Sequence, residues 1–220
     1  VLLSSIPGAA VTSVKIKGVG HEFSTIEGVM EDVVEICLNL KKIRFQFPGE
    51  TGFTEPEILT LKAKGEGEVT AADIEESGRV TVLNKEQKIA TITKKGVELE
   101  MELSIEKGFG YVPVETLKGG NSVAVGTIQL DALFSPVVKV TLTNENMRVG
   151  DQTDFNRAHL VIETDGGISP IDALRQSLAL LAEHFSKALE QVGGSAEIES
   201  APVEDVVSEE KPKKKTKKTK

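Results

Sequence analysis

The chain has 220 residues, 26 of them Lys or Arg and 34 Asp or Glu, for a formal charge of −8. Seven lysines crowd into Lys211–Lys220, so the residues ahead set 19 basic side chains against all 34 acidic ones; such a body repels phosphate chains and excludes a long nucleic-acid groove of its own. One cysteine, Cys37, excludes an internal disulfide framework and a Cys-rich metal site, no run of 18 apolar residues is present to span a bilayer, and a soluble reducing compartment is the default. At the amino terminus, VLLSSIPGAAV lacks a basic flank and reads as mature sequence; starting on Val, the chain reads as a fragment or a processed product. Val11–Val19 reads as a strand. Ser24–Lys41 reads as a helix: Ser24-Thr25-Ile26-Glu27 has capping-box form, and Val29, Val33, Ile36 and Leu40 fall on one face. Acids Glu27, Glu31 and Asp32 crowd its first turns, Lys41 and Lys42 its last, and Gly28 costs it about 1 kcal/mol against Ala.

Strand signals follow, in short runs rich in β-branched residues: Phe45–Phe47, Ile58–Lys62, Val80–Leu83, Lys88–Ile92, Val97–Ile105, Val123–Leu130, Val137–Leu142 and Leu160–Thr164. Turn residues separate them at Pro48-Gly49, Gly65, Gly67, Gly78, Asn84, Gly96 and Gly119-Gly120. Glu98–Ile105 alternates acid and apolar, the pattern of a strand with one wet face. A second helix opens on Ser169 as N-cap and Pro170 at the first position; Leu174, Leu178, Leu181, Phe185 and Leu189 stripe it, and Gly193-Gly194 closes it. From Gly193 periodicity ends, and an acidic, then Lys-rich, segment over Gly193–Lys220 is expected to be disordered. The expected class is α+β, a β-rich region bracketed by helix-bearing segments.

Chemistry is hard to find in this pattern. His21-Glu22 has no second ligand at metal-site spacing and reads as a surface turn; His159 reads as preceding a strand and His184 as lying on the second helix. Cys37 lies on the apolar side of its helix without a CxxC partner and reads as a small hydrophobe. Gly18-Val19-Gly20 and Gly108-Phe109-Gly110 complete no phosphate-binding motif and read as turns. Glu98, Glu100 and Glu102 read as a solvated strand face. A small β-rich enzyme would need an acid, base and nucleophile that the sequence does not assemble. The Lys tail reads either as a solubilising terminus or as a weak, salt-sensitive nucleic-acid contact, and a free-standing nucleic-acid-binding module would rest on it alone.

Several segments taken in order resemble one family. VLLSSIPGAAVTSVKIKGV with HEFSTIEGVMEDVVEICLNLK, VTAADI from Val69, GFGYVP from Gly108, QLDALFSPV from Gln129, MRVGDQTDF from Met147, LVIETDGGISP from Leu160 and DALRQSLALLAEHF from Asp172 are similar to the amino-terminal domain of the bacterial RNA polymerase alpha subunit. The resemblance covers Val1–Leu189. It implies a cytoplasmic, nucleoid-associated scaffold without catalytic residues, metal or cofactor: a homodimer docking the beta and beta-prime subunits, touching DNA only weakly through the tail, with no membrane. It also implies a helix and sheet dimerisation subdomain, Val1–Pro7 plus Val137–Val192, interrupted by a β-rich insert, Gly8–Pro136.

Carried over by position, the resemblance assigns Leu3, His21, Glu22, Phe23, Ser24 and Thr25 to a beta-facing surface. Lys41, Leu130, Ala132, Ser135 and Pro136 fall to a beta-prime face, and Leu174, Leu178, Leu181 and Phe185 to the dimer. Leu3 and Phe23 read equally well as core, and Ser24 as a plain helix cap; Ala132 and Pro136 shape backbone more than they bind. Family members carry a strand and most of a helix ahead of VLLSSIPG that this sequence does not contain, and that helix serves both the dimer and the beta contact. The spacing over Asp151–His159 also differs from the family's. Where the family has a carboxy-terminal DNA- and activator-binding domain, this chain has the Lys tail, so promoter contact through such a domain is expected to be absent or altered.

Overall fold

Period-two alternation builds the largest sheet of this α+β fold. The computed structural model describes residues 1–47, 56–117, 126–149 and 152–192. Strand β1 (Pro7–Ile16) leads to helix α1 (Val33–Leu40), then to β2 (Phe45–Gln46), β3 (Glu57–Lys64), β4 (Gly67–Thr70), a 3-10 turn at Ala71–Asp73, β5 (Ile74–Glu75) and β6 (Thr81–Val82). Next come β7 (Lys88–Ile92), β8 (Glu98–Phe109), β9 (Tyr111–Val112), a short helix α2 (Val114–Leu117), β10 (Thr127–Gln129) and β11 (Ala132–Leu133). A long hairpin of β12 (Val137–Val149) and β13 (Gln152–Thr164) precedes helix α3 (Pro170–Gln191). No described helix is long and apolar enough to cross a membrane.

The main antiparallel sheet runs β5-β3-β8-β1-β2-β6, with β10 also on β1. In β8, Leu99, Met101, Leu103 and Ile105 are buried against Val11, Val14 and Ile16 of β1, Leu59 and Leu61 of β3, and the inner face of α1. Each such side chain, fully buried, contributes about 1.5–3 kcal/mol. The alternate residues face water as expected: Glu98, Glu100 and Glu102 pair with Lys64, Lys17 and Lys15 across the strands. β1 carries a bulge between Val11 and Ser13, where Thr12 turns inward and its hydroxyl donates to Glu106 Oε1 at 2.9 Å. Farther along the ladder Gly8 faces Gly108, and Phe134 lies over the pair. A Cβ on Gly8 would sit 1.7 Å from the Phe134 carbonyl oxygen, and one on Gly108 2.7 Å from its ring. Gly108 is therefore a close-approach residue inside a strand, not the turn glycine that its motif suggests.

The first helix is shorter than its sequence pattern. It begins at Val33, capped by Asp32, whose Oδ1 accepts the Glu35 amide at 2.7 Å, and the expected Ser24–Glu27 capping box caps nothing. Three features take the chain out of the helix before that point. Gly28 adopts φ +82°, against Val97 and Lys94. Val29 bridges Ile92, and the Met30 amide donates to the Thr91 carbonyl. Glu31, 6% exposed, accepts from the Thr91 amide at 2.6 Å and its hydroxyl at 2.9 Å, and pairs with Lys88 at 3.0 Å. The first-turn acids thus serve β7 and its flank rather than a helix dipole; Glu27 pairs with Lys94. Lys41 follows the helix and turns to Asp131, while Lys42 reaches Asn39.

Other strands overlap their expected positions, with Lys88–Ile92 the same at both ends; β1 runs from Pro7 to Ile16 against an expected Val11–Val19, and β8 continues to Phe109, four residues past its expected end. The hairpin strands are longer than expected, because the sequence over 143–159 is mostly polar and carries no sustained alternation. His159 consequently lies inside β13, opposite Thr143, rather than ahead of a strand. Short β4, β5, β9 and β11 carried no signal of their own, and Gly67, expected in a turn, starts β4. Pro48-Gly49, Gly119-Gly120, residues 123–125, Asp151, Gly193-Gly194 and the tail over 193–220 lie outside the described residues.

A second, small core holds Ile6, Val137 and Ala173, with Leu2, Val140, Ile162 and Ile168 packed on it; a third holds Ala10, Ala132 and Phe134. Helix α3 begins as expected: the Asp172 amide donates to Ser169 Oγ at 3.1 Å, and that hydroxyl donates back to Asp172 Oδ2. From Glu183 the chain counts as a second unit, whose described part is the end of α3, where Glu183 and Lys187 pair one turn apart.

Two outcomes follow from the large core. Burial pushes the Glu31 carboxyl up, but Lys88 and the two Thr91 bonds outweigh it and hold the pKa below the ordinary 4.5. A depressed folded pKa stabilises above the unfolded value and is lost as pH falls through the folded one. Glu31→Gln should therefore lose about 1–3 kcal/mol at pH 7, and urea titrations should show its deficit narrowing as pH drops below about 4.5. Gly8→Ala, which meets backbone rather than a movable side chain, should cost at least about 3 kcal/mol in thermal unfolding; an unchanged melting temperature would refute the close approach.

Candidate docking surfaces

One surface surrounds α1. Its inner residues Val33, Ile36, Cys37 and Leu40 are buried, yet Val34 and Leu38, one turn apart, stand outward. A helix apolar on two sides needs cover on both. Phe23, 78% exposed, rises beside them, and together with Glu22, Cys37, Lys41, Val114, Gln129, Leu130 and Asp131 they line a groove of about 300 Å³. A second cavity of about 510 Å³ adjoins it, sharing Glu22, Phe23, Val114 and Gln129 and lined also by Gly20, His21, Thr127 and Ile128.

The polar rim of the groove is built on Asp131. Its Oδ1 accepts the Val114 amide at 3.1 Å and its Oδ2 meets Lys41 Nζ at 3.3 Å. The amide bond first, and Lys41 after it, hold the Asp131 carboxyl below its usual range. Tyr111 is pushed up, by burial and then by the Asp131 charge. In the groove wall, burial raises the Cys37 thiol to about 11, with Glu22 and Asp32 adding to it, so the sulfur stays protonated and acts as an apolar side chain. Ser24 Oγ lies 3.2 Å from His21 Nδ1, which fixes the turn carrying Phe23, and Thr25 is exposed beside it.

A second surface lies at the amino terminus. Val1, Leu2 and Leu3 turn back on themselves, the Ser5 amide donating to the Val1 carbonyl at 2.9 Å. With Val140, Leu174, Ser177, Leu178 and Leu181 they line an apolar groove of about 420 Å³. Helix α3 is seated on its own chain by small residues, Ala173 and Ser177, while Leu178 is 56% exposed and Leu174 and Leu181 are half-buried. Farther along, Phe185 is 72% exposed.

The geometry groups the residues differently from the resemblance. Leu3 sits with Leu174, Leu178 and Leu181, not with residues 21–25. Glu22 and Phe23 share one groove with Lys41 and Leu130. Leu130, Ala132 and Pro136 are buried, Ala132 completely; Leu130 still lines the groove wall, whereas Ala132 can act on a partner only through the backbone it shapes. Ser135 spends its hydroxyl on the Val137 carbonyl. Sequence reading missed Val34, Leu38 and Asp131. The first two were visible as an apolar pair four apart, opposite the main stripe; Asp131 needed the fold.

A family model described as the RNA polymerase Rpb3/RpoA insert domain matches residues 14–135. The chain is 47% identical over 185 residues to the DNA-directed RNA polymerase subunit alpha of Aquifex aeolicus, covering 84% of this chain and 57% of that protein. It is 46% identical over 185 residues to the subunit of the same name from Carboxydothermus hydrogenoformans. To that of Symbiobacterium thermophilum it is 44% identical over 199 residues, 90% of this chain and 61% of the relative. The chain thus spans a little over half the length of the curated relatives it matches. On a match over more than half of its residues, this chain belongs to the RNA polymerase Rpb3/RpoA insert-domain family.

Proposed function

We propose that this chain is the alpha-type scaffold of a DNA-directed RNA polymerase. Two copies pair through α3 and the Val1–Leu3 turn, and the groove around Phe23 docks the large subunits, beta on one protomer and beta-prime on the other. Identical chains present the same groove twice, so a pair can carry two different partners. The chain itself contributes assembly; nucleotidyl transfer and its metal ions belong to the large subunits.

The observation that carries this reading is the apolar groove along α3, which exposes large side chains over a small-residue seat. Near-half identity to proteins named as polymerase alpha subunits gives the groove its context. The Gly8–Pro136 insert and the flanking dimerisation segments, Val1–Pro7 and Val137–Val192, fit the same reading. So does the division of labour between grooves: one apolar throughout, the other apolar with a charged rim, as a contact that sorts partners requires.

Self-association tests the first half. Leu178→Glu would bury a charge in the seam, at a cost of several kcal/mol, and should weaken the dimer at least about 100-fold. Light scattering at a concentration where the parent chain is dimeric should then read a monomer that still unfolds cooperatively; a persistent dimer sinks the seam. Docking needs a separate variant. Leu3→Asp is ambiguous because Leu3 lines the seam groove, whereas Phe23 is remote from that groove's lining. Phe23→Ala removes an exposed aromatic anchor and should lower capture of the beta subunit about tenfold or more, leaving self-association and stability unchanged. Equal capture by parent and variant would exclude Phe23 from the docking surface.

A further inference from the structure

The buried apolar side chains fall into separate clusters, and the large sheet core is not continuous with the small core under α3. The chain passes between them at Pro7-Gly8 and again at Ser135-Pro136. These two crossings are pinned side by side, because Gly8 lies against the Phe134 carbonyl and Pro136 with no room for a Cβ. Two close-set crossings make a pivot, not a weld. Beside them opens a cleft of about 700 Å³, lined by Pro7 and Pro136 and, farther round, by Gln46, Asp165 and Gly167.

Across that cleft the turn between β13 and α3 reaches the sheet through polar contacts. Arg44 Nε lies 3.6 Å from Asp165 Oδ2, and both side chains are largely withdrawn from water. Gln46 Nε2 donates to the Gly167 carbonyl at 3.2 Å. Both ends are held in place. The Arg44 amide donates to Asn84 Oδ1 at 2.7 Å and its Nη1 to the Lys41 carbonyl. Asp165 Oδ1 accepts the Gly167 amide at 2.9 Å, and its own amide donates to the Pro136 carbonyl. Small, polar contacts between separate cores permit relative rotation unless something fastens them.

We propose that Arg44–Asp165 and Gln46–Gly167 form a two-point clasp that fixes the orientation of α3 relative to the main sheet about the Pro7/Pro136 pivot. Arg44 and Asp165 are positioning residues: by holding each other they set the angle between the face that α3 exposes and the groove around Phe23. The inference stands on the two cores and their contacts. It does not require the polymerase reading, and the test involves no large subunit.

The test is a distance distribution between spin labels at Ile58→Cys and Ile171→Cys, both exposed positions, in the full chain, with Cys37 buried. The clasped chain should give one narrow distance. Asp165→Asn with Gln46→Ala opens both points while leaving an amide oxygen to receive the Gly167 N–H, and should broaden the distribution at least twofold. Arg44→Gln, which alters only the sheet side, should broaden it as well, and adding Asp165→Asn to Arg44→Gln should add nothing further, since both remove one contact. Every variant should still melt in one cooperative transition. An unaltered width in the variants, an equally broad parent distribution, or additive broadening in the Arg44/Asp165 pair would each overturn the clasp.

Discussion

The alternation in β8 is the constraint on which most of this molecule depends. Its inward residues, Leu99 to Ile105, draw β1, β3 and α1 into one core; its outward acids meet lysines on both neighbouring strands. A one-residue slip would exchange the two sets and put Glu98, Glu100 and Glu102 into the core, so the register is tightly specified. The surface ion pairs contribute little stability individually. They matter as wetting, because a charged sheet face offers nothing for an apolar partner. The same strand, continued to Gly108, makes the gap that Phe134 fills, and so fixes where the chain leaves the sheet for the hairpin and α3.

Beyond that crossing, the economics of burial change. The hairpin β12–β13 has exposed apolar side chains at Val138, Leu142, Phe155, Leu160 and Val161, and two strands without further cover are marginal in water. Helix α3 leans on it through Ala173 and Ser177, residues with little area to bury. The most exposed apolar side chains of this part, Val138, Leu142 and Leu178 among them, therefore contribute little to the isolated chain. They gain only if another surface removes them from water, which is the physical content of the scaffold proposal.

Legibility in the sequence followed the kind of interaction involved. The β8 alternation and the Ser169-Pro170 opening of α3 are local patterns, and both were readable. Val33, Ile36 and Leu40 were correctly placed on a buried helical face, but the helix start was not, because its true limit is set by contacts 60 residues away. Glu31 looks like a first-turn acid until Thr91 and Lys88 are brought beside it, and Ser24-Thr25-Ile26-Glu27 looks like a capping box until Gly28 turns the chain aside. The hairpin was half-invisible for the opposite reason: mostly polar over 143–159, its sequence carries no sustained periodic signal there. Phe23 and Leu178, assigned to docking by the resemblance, are both exposed, while Phe23 reads equally well as core in the sequence; the merging of Phe23 with Lys41 in one groove was not legible, since only the return of β10 and Asp131 to α1 creates it.

That merged groove bears on how a symmetric pair could hold two unlike partners. Glu22 and Phe23 lie along the same 300 Å³ as Lys41 and Leu130, a volume that accepts one or two side chains, not two separate segments. Two large subunits that both used it would have to use different copies. The charged rim sharpens the choice: Lys41 is already neutralised by Asp131, so a partner's carboxylate gains less there than at a free lysine, while an apolar side chain beside Phe23 and Leu38 loses nothing. Under the proposed docking, affinity would come chiefly from the apolar floor and discrimination from the rim, and a chain that offers this groove once per copy would reach a two-partner complex only by being present twice.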